Sequence, residues 1–165
     1  MPNSFFQLAL NPFKFRLFLL TKLPVAYFSG VRVIQADETQ AVVTIPYKRF
    51  TTNPFKSTYF ACLSMAAEMS TGLLAMAHTF EGKPAVSMLV IKTEGNFFKK
   101  ATGLTTFTCA DGKAIKYAIE ETKLSGEGTT VTATSVGRDE DENVIAEFIF
   151  TWSFKRKAVS KHPNT

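Results

Sequence analysis

The longest apolar stretch of the chain runs from Ser57 to Thr79, where Glu68 is the only charged residue and Ala, Met, Leu and Phe fill most positions. These are tolerable or strong helix formers, and a run of this length makes a helix of roughly 35 Å. A helix apolar on nearly every side has to be enclosed by lipid or by protein. A bilayer would leave Glu68 at mid-span beside Ser64, Ser70 and Thr71, and the rest of the chain alternates as strands do, so enclosure by a sheet is expected.

Upstream, Asn11-Pro12 reads as a helix cap followed by proline at the first helical position, and Phe13, Leu17 and Leu20 recur at helical spacing until Pro24. This predicts a short helix over about 12–22 that packs on the sheet or on a partner subunit. Its basic, aromatic character also suits a membrane surface. Val31 to Ala36 and Gln40 to Pro46 are rich in β-branched residues on either side of Asp37-Glu38-Thr39, the pattern of a hairpin. A loop from Arg49 to Lys56 leads into the long helix. Beyond it, Ala85 to Ile91 is a continuous apolar strand and Leu104 to Cys109 alternates Thr with Phe and Cys. Lys113 to Lys123 carries Ala114, Ile115, Ala118 and Ile119 at helical spacing. Thr130 to Val136 and Val144 to Phe154 then form two strands about the acidic turn Asp139 to Asn143, which lacks the glycine and ligand spacing of a calcium loop.

Short connections make these strands largely antiparallel, so the expected class is α+β, an antiparallel sheet wrapped around one long central helix. A single domain is expected over 1–165, with its core over about 30–157 and a polar tail over 158–165. At 165 residues and 45% hydrophobic, the chain can build a core that needs neither disulfide nor metal. Cys62 falls in the helical run and Cys109 in a strand, without CxxC spacing, which points to buried reduced thiols. The net charge of +5 is spread over the chain rather than drawn into a stripe, and no nucleic-acid motif accompanies the phenylalanines. The N-terminal apolar residues lack the layout of a secretory signal and are too often interrupted to cross a bilayer. A soluble, cytoplasmic protein is expected.

Glu68 is the residue that most needs explaining. An ionised carboxylate inside an apolar helix loses water and must find donors or raise its pKa, and a carboxylate so tuned can act as general base or nucleophile. The competing reading is structural: Glu68 pairs with a Tyr or Arg, or reaches solvent at a gap in the sheet. A second element is the helix start, whose first N–H groups have no intrahelical partner and whose dipole end is positive. The N–H groups near Tyr59, Phe60 and Ala61 would hold an oxyanion there, unless the hydroxyls of Ser57 or Thr58 cap them.

The stretch from Asn53 to Glu68 resembles the active-site segment of hot-dog thioesterases of the phenylacetate-pathway type. In that family an Asn or Gln is followed six positions on by a His-Gly-Gly turn that opens the central helix, and an Asp or Glu comes nine positions after the His. Asn53, Tyr59 and Glu68 keep both spacings, with Tyr59 at the His position and Phe60 and Ala61 at the two glycines. Ile91 to Gly103 is similar to the strand and turn that follow in the family.

The resemblance implies the hot-dog fold and hydrolysis of an acyl thioester such as acyl-CoA, at a site shared between subunits of a homodimer or dimer of dimers. It assigns Glu68 to activating water or attacking the carbonyl, the Phe60 N–H to the oxyanion, and Asn53 to orienting water or substrate. Ser70 and Thr71 lie about one turn beyond Glu68, where they either hold the water or bond back to the helix. No cofactor is implied apart from coenzyme A within the substrate. A non-catalytic acyl- or lipid-binding protein of the same fold is the alternative.

Overall fold

The computed structural model describes residues 3–80 and 82–157, so the polar tail expected over 158–165 lies outside the described residues. Six strands form one sheet: β1 (Arg32–Ala36), β2 (Ala41–Ile45), β3 (Val86–Phe97), β4 (Thr105–Cys109), β5 (Thr129–Arg138) and β6 (Val144–Arg156). Their order is β1-β2-β4-β5-β6-β3, and all five neighbouring pairs are antiparallel. Register shifts leave one extra residue in each of β1, β3 and β6, which sharpens the bend of the sheet.

Among the described residues five helices accompany the sheet: α1 (Ser4–Leu10), α2 (Pro12–Lys22), α3 (Pro24–Ser29), α4 (Phe60–Thr79) and α5 (Gly112–Ser125). The long apolar run is α4, and it packs against β2, β3, β4, β5 and β6. Ala66, Ala67, Leu74 and Ala75 are fully enclosed, facing a layer that includes Phe107, Phe150 and Trp152. Small residues on the helix let its backbone approach the sheet, and aromatic rings fill the space between. The amphipathic α5 buries Ile115, Ala118 and Ile119, and the carboxylate of its N-terminal flank, Asp111, accepts from the Thr134 N–H at 2.7 Å.

The helix begins at Phe60 rather than at Ser57 for a local reason. Thr58 N–H donates to Ala101 O at 2.7 Å and Tyr59 N–H to Thr51 O at 2.6 Å, so both belong to the preceding loop, and Thr52 bridges Thr58 across it. At the N-terminus the structure adds two helices to the one expected. Asn3 caps α1, its Oδ1 accepting from Phe5 N–H at 2.9 Å and its Nδ2 donating to Ala77 O at 2.6 Å. Pro24, expected as a stop, instead occupies the first turn of α3, where its missing N–H has no partner to lose. Gly30 ends that helix at φ 80°, a left-handed conformation that a side chain would strain.

Both cysteines are buried and unbridged. Burial pushes the Cys109 thiol up to about 12 and raises that of Cys62 as well.

Candidate active site

Two clefts carry the residues singled out above. The first surrounds the start of α4. Asn53, Phe55, Ser57, Tyr59, Phe60 and Lys100 help line a cleft of about 660 Å³. Asn53 holds its own loop closed: its Oδ1 accepts from Phe55 N–H at 2.9 Å and Ser57 N–H at 3.2 Å, and its Nδ2 donates to Ser57 Oγ at 3.1 Å. This is the turn chemistry that favours Asn before a helix.

The first turn of α4 has no side-chain cap. Tyr59, Phe60 and Ala61 are exposed, and the N–H groups of Phe60 and Ala61 donate to no acceptor among the described residues. The Phe60 ring packs edge-on against Phe97, with centroids 6.4 Å apart, and against Tyr59 at 5.0 Å. The bulky residue at the glycine position therefore lies within an aromatic cluster and leaves its own backbone donor unpaired. Thr58 Oγ1 is the one buried side-chain oxygen or nitrogen among the described residues without a partner.

The second cleft contains Glu68. A cavity of about 620 Å³ lies between α4, β3 and the N-terminal helices, walled by Phe15, Phe18, Met69, Met76, Met88 and Trp152 among others. Among the described residues Glu68 is the only carboxylate in that lining. It is half-buried, no described donor bonds its carboxylate, and desolvation raises its pKa above the ordinary 4.5. Neither a Tyr nor an Arg pairs with it.

Space for the carboxylate comes from Gly72, one turn further on. A Cβ there would stand 3.2 Å from Glu68 Oε1 and 3.5 Å from Trp152 Cζ2. Trp152 is in turn fixed by its indole N–H, which donates to Thr71 Oγ1 at 2.9 Å. Gly72, Trp152 and Thr58 were not read as site residues from the sequence. For Gly72 a signal existed, since a glycine inside a strong helical run usually marks close packing or function.

Thr71 and Ser70 both bond back to the helix. Thr71 Oγ1 donates to Glu68 O at 2.9 Å, and Ser70 Oγ donates to Ala67 O at 2.7 Å while sharing a 2.8 Å hydrogen bond with Ser135. The structure thus brings Asn53, Tyr59 and Phe60 together at one cleft and sets Glu68 in another. Eight residues of helix separate Phe60 from Glu68, about 12 Å of rise, so one acyl carbonyl cannot touch both within a single chain.

No protein-family model matches the chain, and no curated protein does. Solved structures do. A Pseudomonas aeruginosa protein of unknown function, described as a probable thioesterase, superposes with a TM-score of 0.74 at 18% identity, covering 88% of this chain and 97% of that one. The E. coli PaaI protein from the phenylacetic acid degradation operon gives 0.62 at 15% identity, with 92% and 96% covered. A thioesterase from Haemophilus influenzae gives 0.61 at 13% identity, with 88% and 92% covered. The fold is therefore the hot-dog fold, as the active-site resemblance implied, and it is shared with structures described as thioesterases. The one described helix long and apolar enough to span a bilayer is α4, and it is buried against the sheet.

Proposed function

We propose that the protein hydrolyses an acyl thioester, acyl-CoA or a close relative, at a site composed of Glu68 from one subunit and the α4 start from a second copy. The observation that carries this reading is Glu68 itself, a carboxylate that no described donor bonds, at the wall of a largely apolar cavity. Such burial strengthens it as a base at neutral pH. It takes a proton from water, whose oxygen attacks the thioester carbonyl. The unpaired Phe60 N–H holds the developing oxyanion. The carbon–sulfur bond then breaks and the departing thiolate recovers the proton from Glu68, leaving acid and thiol. Attack by the carboxylate itself, followed by hydrolysis of the anhydride, gives the same products.

Support for a shared site comes from the edge strand. Among the described residues β3 bonds β6 on one side only, and Leu89, Ile91 and Phe97 on it are exposed. Met88, Leu89 and Val90 wall the Glu68 cavity, while Phe97 and Phe98 wall the helix-start cleft at the other end. Antiparallel pairing of two β3 strands about a two-fold axis at Thr93 would set Phe97 of one copy opposite Leu89 of the other. Each helix start would then meet the other copy's Glu68 cavity. The same register sets Lys92 opposite Glu94, an attractive cross-strand pair. Asn53 positions substrate through the loop it closes, and Lys100 at the cleft offers a cation to the coenzyme phosphates.

Hydrolysis of acyl-CoA substrates of graded chain length by wild type and Glu68→Gln tests the assignment. Turnover by wild type with loss of at least about 100-fold in the variant is expected, and equal activity in both would sink it. The alternative, a non-catalytic acyl-binding protein, draws on the bulk of Phe60 at a glycine position. It requires an acyl ligand that copurifies and is never turned over.

A further inference from the structure

The N-terminal helix α2 is apolar on two opposite faces. Phe15 and Leu19 are buried against the body of the protein, whereas Phe13 is 82% exposed and Leu17 55%. Leu17 and Leu20 fall within roughly 40° of Phe13 around the helix, and the buried pair lies roughly 100–160° away from them. A helix with apolar character all round is ordinarily enclosed, yet the outer stripe of α2 meets no described residue that covers it. Leu10 of α1 and Val25 and Phe28 of α3 are exposed as well.

The charge around this face is one-sided. The first 36 residues contain Lys14, Arg16, Lys22 and Arg32 and no Asp or Glu, so they carry four of the chain's five net positive charges. Lys14 and Lys22 are exposed, and Arg16 lies with its guanidinium carbon 3.9 Å from the centre of the Tyr27 ring. We propose that the outer face of α2 docks on an anionic lipid surface, with Phe13, Leu17 and Leu20 entering the headgroup boundary and Lys14 and Lys22 meeting the lipid phosphates. Phenylalanine and leucine along one face, with Lys14 at its flank and Lys22 at the helix end, is the composition that interfacial helices use. A second copy fits this face less well, because a two-fold contact would bring the same acid-free, basic surface against itself. Phe18 and Leu23 of the same segment also wall the Glu68 cavity, so a lipid surface here would lie beside an apolar pocket.

The test is cosedimentation of the full chain with vesicles of equal parts phosphatidylglycerol and phosphatidylcholine, and with phosphatidylcholine alone, at about 0.1 M salt. Binding to the anionic vesicles is expected, falling as salt rises. Lys14→Ala with Lys22→Ala should weaken it by roughly 30-fold, and Phe13→Ser with Leu17→Ser should abolish it. These positions are exposed, so circular dichroism should show both variants folded. Absence of binding to the anionic vesicles, or equal binding by the wild type and the Phe13/Leu17 variant, overturns the proposal. So does a fall in oligomeric size, by light scattering, in the Phe13/Leu17 variant, which would make the face a contact between copies.

Discussion

Gly72→Ala separates the fold from the chemistry. A glycine inside a helix is less favourable than alanine by about 0.8–1 kcal/mol, because it loses more backbone freedom on folding. At Gly72 the added methyl would meet Trp152 Cζ2 at 3.5 Å and Cη2 at 3.6 Å, which are ordinary contacts, and Glu68 Oε1 at 3.2 Å, which is tight. The carboxylate sits at the end of a flexible side chain beside a cavity, so it can move away by a few tenths of an ångström. The backbone gain should therefore survive, giving a net stabilisation of about 0.5–1 kcal/mol and raising Tm by roughly 1–4 °C for a chain of this size. Hydrolysis should fall all the same. A displacement of about 1 Å costs on the order of 100-fold in a catalytic group, so a smaller shift of Glu68 should lower kcat by about tenfold. Thermal unfolding and thioester turnover on the same preparation check both halves. A loss of more than about 1 kcal/mol would show that the carboxylate cannot yield. A more stable protein of undiminished activity would refute the role of Glu68 as placed.

Burial raises the Glu68 pKa, so the folded chain holds that proton more tightly than the unfolded chain. The stability this contributes is complete below the ordinary value of 4.5 and is lost as pH rises through the higher folded value. Glu68→Gln, which carries no such proton, should therefore gain stability relative to wild type as pH rises above 4.5, read by urea unfolding at several pH values. Trp152→Phe removes the donor to Thr71 Oγ1 and should lower stability by about 1–2 kcal/mol, with a fall in the urea midpoint. Cys62 and Cys109 should both resist a thiol-specific chromogenic reagent in the native protein and react once it is unfolded, since both are buried and burial raises both thiols.

The fold was legible wherever one periodicity dominated. The apolar run around Glu68 could only be an enclosed helix, and the alternation of Thr with Phe and Cys in Leu104 to Cys109 could only be a half-buried strand. The N-terminus was harder to read because α1 and α3 have 7 and 6 residues, too few for a period to show, and because Pro24 is compatible with either a helix stop or a helix start. β3 continues to Phe97, beyond the expected Ile91, since an edge strand exposed over Lys92 to Asn96 has no apolar face to announce it. For the site, Glu68 stood out as a lone charge, whereas its surroundings depend on contacts remote in sequence. Trp152 lies far along the chain from Thr71, and Phe15 and Phe18 reach the cavity from a separate helix. The division of the site residues between two clefts follows from helical rise and was implicit in the spacing of Phe60 and Glu68.

The shared site is tested most directly by mixing two inactive forms. Phe60→Pro deletes the proposed oxyanion donor at the first position of α4, where proline is tolerated, and Tyr59 already has the extended backbone that a residue before proline requires, at φ −60° and ψ 133°. Glu68→Gln deletes the base. Each variant alone should lose at least about 100-fold in hydrolysis. Coexpressed with different tags, random pairing makes about half of the dimers mixed, and each mixed dimer contains one site with both groups intact. Recovery of about one quarter of wild-type activity per subunit is the predicted result. A mixed population as inactive as its two parents would contradict a site composed of Glu68 from one copy and the Phe60 N–H from the other.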